Sequence, residues 1–354
     1  MDLWPRPEAI GIDFHTYLAA ADVGLHQGWP HIYDQALVAE AQQQLVPSQV
    51  SQPFLSPPMV AWLAAPLTLF PYPVAFGVWA VLTFLAFAIA LAWAGVSSGN
   101  SRWIAVLGAL TPWWVVHAVI LGQVVTLVAV GVVFGWRLLR DKKDIAAGVA
   151  LSLIFLKPNT AVLVPLALLL ARRYRAVASW LAVGVILALI AVLLLGNQGL
   201  SAYVHQLRAP LPGGADSLTI KGAVGATGAV ALAMRVIIVG AVLGAALRLR
   251  ESPGLVISGG IVGSLLVSPY LHASDLCLLS AAAWMVWEER PALAWRVSLA
   301  VGWVLVSPFL FVAGLSLDLH RLPWLELALL VALVAAAWPG ARRAHLQTIV
   351  NRRG

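Results

Sequence analysis

Residues 74–95 read VAFGVWAVLTFLAFAIALAWAG, a run without a single charged side chain. At about 1.5 Å per residue, an α-helix of this length crosses the roughly 30 Å hydrocarbon core of a bilayer. The rest of the chain has the same character, with 61% hydrophobic residues, 10% charged residues and a mean hydropathy of +0.89. Soluble domains carry about 25% charged residues. The sequence therefore predicts an all-α, polytopic membrane protein.

Outward from this run, apolar segments alternate with short polar turns along the chain. Residues 57–70 are apolar but too short to span and are closed by prolines, which predicts an interfacial or re-entrant helix. With them, the pattern predicts a helical bundle of about 9–11 membrane helices. The other predicted spans are residues 103–121, 124–139, 176–195, 222–247, 255–267, 276–287, 297–315 and 325–338.

Residues 145–171 form an apolar segment with a basic cluster at each end. A single crossing would place one of these clusters outside the cell, against the positive-inside rule. Lys157-Pro158-Asn159 interrupts the segment near its middle. We therefore predict two half-helices that enter the membrane and return to the same side, since irregular backbone is tolerated at membrane depth where it lines a cavity.

The basic residues define the predicted orientation. Most of the 22 Lys and Arg residues fall in loops on one side of this path, which is thereby the cytoplasmic side, and Lys157 and Arg235 lie at membrane depth. The net charge of +7 is explained in this way without a nucleic-acid partner. The predicted parts are residues 1–56 as an external catalytic loop, 57–340 as the transmembrane helical domain and 341–354 as a basic cytoplasmic tail. Residues 196–221, 268–275 and 316–321 are expected to join residues 1–56 on the external face.

Cysteine and tryptophan residues are given structural roles. The single cysteine, Cys277, lies in an apolar run without a ligand partner, so it predicts a buried small side chain and neither a disulfide framework nor a metal site. Several tryptophans near predicted helix ends are typical of interfacial aromatic belts. They are Trp62, Trp79, Trp103, Trp113, Trp114, Trp284, Trp287, Trp303, Trp324 and Trp338.

Three acidic or basic side chains near the external face are the first candidates for chemistry. Asp13 has a structural interpretation, as a helix N-cap or a solvated carboxylate. It also has a functional one, as a general base that accepts a proton from a sugar hydroxyl. His272 and Asp275 follow a proline in a short turn. Their spacing suits a capping pair, and it also suits hydrogen bonding of a sugar or phosphate.

The further candidate residues also have a structural interpretation beside the functional one. Lys157 is a charge in an apolar stretch, which is costly and hence functional by default, with snorkelling to the interface as the alternative. Gln123 suits a hydrogen bond between helices. Arg208 and Lys221 are either phosphate ligands or solvated loop charges.

An ordered series of short motifs resembles glycosyltransferase family 87, membrane enzymes of the GT-C class that use polyprenyl-phosphate sugars. The resemblance spans roughly residues 11–290. Two departures are Val124-Val125, where the family often has an Asn after Gly-Gln, and Tyr270-Leu271 in place of the commoner Ser-Trp. The usual first membrane helix is also missing, and we expect it upstream, since residues 1–56 contain no spanning run. The motifs are Asp13-Phe14-His15-Thr16-Tyr17, Tyr33-Asp34, Phe54-Leu55-Ser56-Pro57-Pro58, Gly122-Gln123, Lys157-Pro158, Arg172-Arg173 and Ser268-Pro269 with His272.

This resemblance implies a function and a site. It implies that Asp13 is the catalytic base and that His272 assists. It also implies inverting transfer of a hexose, mannose first, from a polyprenyl-phosphate donor to a lipid or glycan acceptor, at the external face of a bacterial plasma membrane and without a nucleotide cofactor or a metal. The expected substrate-binding residues are Tyr17, Gln123, Lys157, Arg208, Lys221 and Asp275.

Two other classes of protein fit the same composition. A secondary transporter or lipid-linked sugar flippase would also contain broken helices and intramembrane charges, although the halves of this chain show no repeat. A noncatalytic membrane assembly partner is the other alternative.

Overall fold

A computed structural model describes residues 10–208, 219, 225, 227–289, 292–305 and 324–337. Within these residues every regular element is helical. The α-helices are α1 (Ile12–His26), α2 (Gln35–Leu45), α3 (Pro58–Ala64), α4 (Tyr72–Ala94), α5 (Gly99–Leu110), α6 (Trp113–Leu121), α7 (Val125–Arg140), α8 (Asp144–Leu151), α9 (Leu163–Leu170), α10 (Tyr174–Arg208), α11 (Gly228–Arg248), α12 (Pro253–Val267), α13 (Cys277–Glu288), α14 (Leu293–Leu305) and α15 (Trp324–Ala336). Short 3-10 segments are Trp29–His31, Ala65–Leu69, Ser152–Leu156, Pro158–Thr160 and Ala273–Leu276.

The prediction of an all-α, polytopic membrane protein is confirmed. Within the described residues, α4, α10 and α11 are long and apolar enough to cross a membrane. The pair α5 and α6 becomes a fourth span if its 59° bend is counted as one broken helix. Shorter apolar helices, such as α12, stand where several further spans are predicted.

The break predicted within residues 145–171 is present. Helix α8 is followed by the 3-10 segment Ser152–Leu156, and the backbone leaves the helical region at Lys157, with φ −151° and ψ 74°. Pro158 explains the position, since proline disfavours a helical conformation in the residue before it. Helix α9 begins at Leu163, after the 3-10 segment Pro158–Thr160, which leaves Lys157 between α8 and α9.

The predicted loop from Gly196 is wrong in its first part, because α10 continues to Arg208. The backbone is non-helical at Gly196 alone, with φ 57° and ψ −171°, and the helix resumes after it. The resumed part is fixed by packing, since the Tyr203 ring stacks on Tyr33 at 4.5 Å between centroids. Tertiary contact with the N-terminal region therefore keeps this part helical.

Two buried or half-buried carboxylates join several helix ends at one end of the bundle. The Glu288 carboxylate, 2% exposed, accepts the backbone N–H groups of Val96 and Ser97 at 2.8 and 3.0 Å. The neighbouring Glu289 accepts the Trp136 indole N–H and the Gly254 N–H, each at 3.3 Å. The topology predicted from the sequence places all these segments on the cytoplasmic side of the membrane, and the hydrogen bonds between them are consistent with that topology.

Three of the tryptophans expected in interfacial belts lie in the core instead. Trp79, Trp114 and Trp284 are 5%, 4% and 0% exposed. Two of them have internal partners for the indole N–H, since Trp79 donates to the Gly122 carbonyl at 2.9 Å and Trp114 donates to Ser280 Oγ at 2.7 Å. A satisfied indole can be buried at little cost, which hydropathy alone does not reveal. Cys277 is buried and free, as predicted.

Two glycines let the N-terminal helix lie directly against the bundle. Gly11, with φ 75°, precedes α1, and its N–H donates to the Ile120 carbonyl at 2.8 Å. Gly122, with φ 71°, ends α6, and a Cβ there would lie 2.5 Å from the Phe14 Cβ. Both positive φ values favour glycine, which has no Cβ to clash. This close approach fixes the start of α1 beside the junction of α6 and α7.

We expect Gly122→Ala to destabilise the protein by about 1–3 kcal/mol, because the added methyl group overlaps Phe14 and the residue must keep a left-handed conformation. Thermal unfolding in detergent micelles measures the effect. Gly77→Ala in α4 is the matched control, since its Cβ would meet nothing within 4 Å and its φ is unexceptional. Equal melting temperatures for the two variants would contradict the close approach.

Candidate active site

Asp13 lies in the first turn of α1, outside the candidate membrane spans. Burial raises the pKa of its carboxyl above the ordinary value of 3.8. The charges of Lys157 and His272 and a hydrogen bond from the Gln123 side chain lower it, and Asp275 raises it further. Residues from three distant segments therefore act on one carboxylate. Residues 1–56 and 268–275, which are expected on one face, thus carry groups that interact electrostatically.

Gln123 connects Asp13 to the other groups. It directly follows Gly122, between α6 and α7, and is 4% exposed. Its Oε1 accepts a hydrogen bond from Tyr17 Oη at 3.3 Å and another from Lys157 Nζ at 3.0 Å. The predicted hydrogen bond between helices is present, and it joins α1 to the broken segment.

Lys157 forms a buried ion pair with Asp275. Lys157 Nζ lies 2.5 Å from Asp275 Oδ1, and the two side chains are 11% and 0% exposed. The other carboxylate oxygen, Oδ2, accepts the backbone N–H of His272 at 3.0 Å. Asp275 therefore acts as the predicted capping residue of its turn and also pairs with a lysine far away in sequence. The Lys157 ammonium is therefore paired inside the protein.

His272 is exposed, unlike Asp275 in the same turn. Its ring makes an edge contact with Tyr270, at 6.0 Å between centroids. The turn is tied to the broken segment a second time, because Asn159 Nδ2 donates to Ser268 Oγ at 3.3 Å. Ser268 in turn donates to the Tyr270 carbonyl at 2.5 Å. An accessible imidazole is thus held at the edge of a rigid polar cluster.

His117, which lies in α6, is a further residue near the site that none of the sequence motifs indicates. Helix α6 packs against the 3-10 turn Ala273–Leu276, and His272 acts electrostatically on the His117 ring. Trp113 contacts the imidazole edge-on at 5.4 Å, and the buried Nδ1 has no hydrogen-bond partner among the described residues. An ionisable residue within an apolar run is itself a functional signal, and this one was available from the sequence.

Most of the predicted site residues come together. Asp13, Tyr17, Gln123, Lys157, Asp275 and His272 form one connected cluster, which we call the carboxylate cluster. Arg208 is exposed at the end of α10, and Lys221 lies outside the described residues. Within the described part of the chain, no group of three or more His, Cys, Asp and Glu side chains is arranged to hold a metal ion.

The carboxylate cluster has the groups needed for acid–base chemistry on a hydroxyl. A carboxylate whose pKa is raised by burial is a better proton acceptor than an ordinary aspartate, provided that nearby cations keep it ionised. The imidazole and the lysine supply positive charge or hydrogen-bond donors for an anion. The arrangement therefore suits proton removal from one reactant beside negative charge on another.

Comparison with known proteins gives one match. The family model described as glycosyltransferase family 87 matches residues 54–269, more than half of the chain. The matched range includes Gln123 and Lys157 and ends before His272, and it starts after Asp13. Searches of curated proteins and of solved structures each found no match.

We expect Lys157→Gln to destabilise the protein by about 3–5 kcal/mol, because it leaves the fully buried Asp275 carboxylate without its ion-pair partner. Lys157→Gln/Asp275→Asn should recover most of the loss, since it removes both charges. Thermal unfolding in detergent, calibrated by denaturant titration, compares the two variants.

Asp141→Asn is the control, since Arg137 and Asp141 form a half-exposed pair at 3.1 Å whose loss should cost at most about 1 kcal/mol. If Lys157→Gln is no less stable than Asp141→Asn, Lys157 and Asp275 are not paired in the folded protein.

Proposed function

The chain belongs to glycosyltransferase family 87, and we propose that this membrane glycosyltransferase moves a hexose, mannose first, from a polyprenyl-phosphate donor to a hydroxyl of a lipid or glycan acceptor. The observation that carries the proposal is the carboxylate cluster. In it a desolvated carboxylate from the N-terminal helix meets the histidine turn from the other end of the chain. A protein that only packed in the membrane would have no need to bury two carboxylates around one lysine.

Asp13 is the proposed general base. The acceptor oxygen attacks the anomeric carbon as its proton passes to the Asp13 carboxylate, and the bond from that carbon to the phosphate oxygen breaks. The polyprenyl phosphate leaves with the bonding electrons, so configuration inverts in a single displacement. Asp13 is half-buried, and desolvation raises the pKa of its carboxyl, which suits a general base in such a step.

His272 is the second proposed catalytic residue. It is the exposed member of the carboxylate cluster and acts on Asp13, so a donor phosphate at the edge of the cluster would lie within reach of its ring. Negative charge grows on this phosphate as the glycosidic bond breaks, and a hydrogen-bond donor placed there stabilises the transition state. Arg208 and Lys221 remain predicted phosphate ligands.

The apolar exterior fits a lipid-linked donor. Ile186, Leu189 and Leu193 of α10 are 56%, 58% and 82% exposed, as side chains that face lipid should be. A polyprenyl chain can lie along such helices while its phosphate reaches the polar cluster. From the distribution of basic loops we place the site at the external face of a bacterial plasma membrane.

Asp13→Asn should lower the transfer rate by about 10²–10⁴-fold, because the amide cannot accept the acceptor proton. Membranes that contain the protein are incubated with radiolabelled polyprenyl-phosphate mannose, and label in lipid and glycan products is counted. Asp22→Asn is the matched control. It removes a carboxylate that lies on the same helix and pairs with the exposed His26, and it should leave the transfer rate unchanged.

Three outcomes are informative. Full activity in Asp13→Asn would remove Asp13 from the mechanism as the base, and a transfer rate that does not depend on the amount of this protein would favour a noncatalytic assembly role. Label that crosses vesicles of the purified protein without a new glycosidic bond would favour a transporter or flippase. Transfer of label from another polyprenyl-phosphate sugar, with no transfer from polyprenyl-phosphate mannose, would show that the proposed sugar is wrong and the proposed type of reaction is right.

The pH profile of transfer gives a separate prediction. A base must be ionised, so kcat/KM falls as pH falls through the pKa of Asp13. Because burial raises that pKa above 3.8, the loss should begin at a higher pH than for an ordinary aspartate. Steady-state rates measured across the acid range test this, and a flat acid range down to pH of about 4 would contradict it.

A further inference from the structure

Two turns of the chain place a basic residue where the backbone favours glycine. Lys142 follows α7 with φ 59°, and Arg172 follows α9 with φ 62°. Among the residues that the structure describes, these two are the non-glycine residues with a positive φ. A Cβ in this left-handed conformation clashes with the backbone, so both basic side chains are kept at a conformational cost.

The two turns have the same hydrogen-bond pattern. The N–H groups of Lys142 and Lys143 donate to the carbonyls three and five residues earlier, at 3.2 and 2.8 Å. Those of Arg172 and Arg173 do the same, at 3.0 and 2.9 Å. This is the Schellman motif, whose left-handed position is usually a glycine. A basic residue therefore stands in the place of that glycine twice.

The two turns lie side by side in the fold. Helices α8 and α10 begin directly after them and pack against each other. Ser179 Oγ of α10 donates to the Ile145 carbonyl of α8 at 2.9 Å, and a Cβ on Gly148 would overlap the Ala176 carbonyl. Because the first turns of both helices are in contact, the basic side chains that precede them form one surface. We call this the basic surface, and its residues are Lys142, Lys143, Arg172, Arg173 and Arg175.

The basic surface lacks an internal counter-charge. Four of its side chains are exposed and Arg173 is half-buried. Within the described part of the chain, no carboxylate lies at ion-pair distance from any of them. Of the two acidic residues beside the lysines, Asp141 is paired with Arg137 at 3.1 Å and Asp144 is half-buried. An anion is therefore the partner whose charge the basic surface complements.

The surroundings of the basic surface identify the source of that anion. Ile145, Leu169 and Tyr174 lie directly beside it in the chain and are 64%, 41% and 60% exposed. Exposed apolar and tyrosine side chains next to cations are typical of the level at which lipid headgroups meet the hydrocarbon. The topology predicted from the sequence places both turns on the cytoplasmic side, where basic clusters meet anionic lipids.

We propose that the basic surface binds the phosphate groups of anionic phospholipids in the leaflet that it faces. Bound phosphates balance the charge of the two turns and offset the cost of the left-handed Lys142 and Arg172. The two turns stand at either end of residues 144–170, the broken segment that carries Lys157. A lipid that bridges them would hold both ends of this segment together. The proposal goes beyond the transfer reaction and does not depend on the role of Asp13.

Native mass spectrometry of the purified full-length protein in detergent tests the proposal, with phosphatidylglycerol and phosphatidylcholine as the titrated lipids. The wild type should bind phosphatidylglycerol more tightly. Each basic residue near anionic lipid contributes about fivefold to the affinity, so Lys142→Gly/Arg172→Gly should weaken phosphatidylglycerol binding by about 25-fold. Without added lipid, the melting temperature of this variant should equal or exceed that of the wild type, because glycine is favoured at both positions.

Lys142→Arg/Arg172→Lys is the matched control, since it changes the same two residues, keeps both charges and should retain the affinity. Weaker phosphatidylglycerol binding by a glycine variant that is no less stable supports the proposal, because a folding defect would lower the melting temperature as well. Unchanged affinity in the glycine variant overturns it, and so does equal affinity of the wild type for the two lipids.

Two further measurements complete the test. Inorganic phosphate that raises the melting temperature of the wild type as much as phosphatidylglycerol does would overturn the proposal in favour of a site for a free anion. If the glycine variant does not fold, Arg175→Gln removes an exposed charge from the first turn of α10 and should weaken phosphatidylglycerol binding by about fivefold. Unchanged binding in Arg175→Gln overturns the proposal. The titrations contain no sugar donor, so their result is independent of the proposed function.

Discussion

The buried pair of Lys157 and Asp275 is the interaction on which the polar centre of this protein depends. A lone ion in a low-dielectric interior costs several kcal/mol, and two ions are tolerated only with close geometry and further hydrogen bonds. Here the ammonium also donates to Gln123, and the carboxylate also accepts the His272 N–H. Each end of the pair is thereby attached to a different interruption in the helical bundle. The interruptions are what allow polar backbone and side chains to meet inside so apolar a chain.

The N-terminal helix reaches this centre because two left-handed glycines remove the atoms that would hold it away. Gly122 lets Phe14 pack where a Cβ would otherwise stand, Gly11 leaves the same room for the Tyr72 hydroxyl, and Asp13 then comes to lie near Gln123. Further contacts hold the helix from its other side, including His15, whose ring nitrogen Nε2 lies 2.8 Å from the Gln42 carbonyl oxygen. The position of the candidate base is therefore a result of backbone geometry more than of hydrophobic packing.

Composition and hydropathy are sufficient to predict the all-helical membrane fold, the span at α4 and the interruption at Lys157-Pro158. They do not predict that α10 resumes after Gly196, since that depends on the Tyr203 ring meeting Tyr33, a contact with a distant part of the chain. Trp284 was misplaced for a similar reason, because its burial depends on neighbours such as Trp136 and not on its distance from a helix end. Both depend on contacts between residues far apart in the chain, which a local sequence pattern cannot predict.

The same limit applies to the candidate site. Asp13, His272 and Lys157 stand out as polar residues at unusual positions, and the resemblance to glycosyltransferase family 87 groups them. The sequence does not show how these residues are connected. Only the structure reveals that Lys157 pairs with Asp275 and that Gln123 accepts hydrogen bonds from two donors. His117 is the reverse case: an ionisable residue in an apolar run is visible in the sequence, and its relation to the site is known only from its electrostatic interaction with His272.

The single non-helical residue at Gly196 divides α10 into a lipid-exposed shaft and a terminal part docked through Tyr203. The shaft is itself anchored to the bundle, since the Trp180 ring stacks on Phe155 at 4.7 Å between centroids. Because the helical backbone is interrupted between these two anchors, each part of α10 keeps the direction that its own contacts set. One residue with no side chain thus separates the packing of the membrane shaft from that of the docked part.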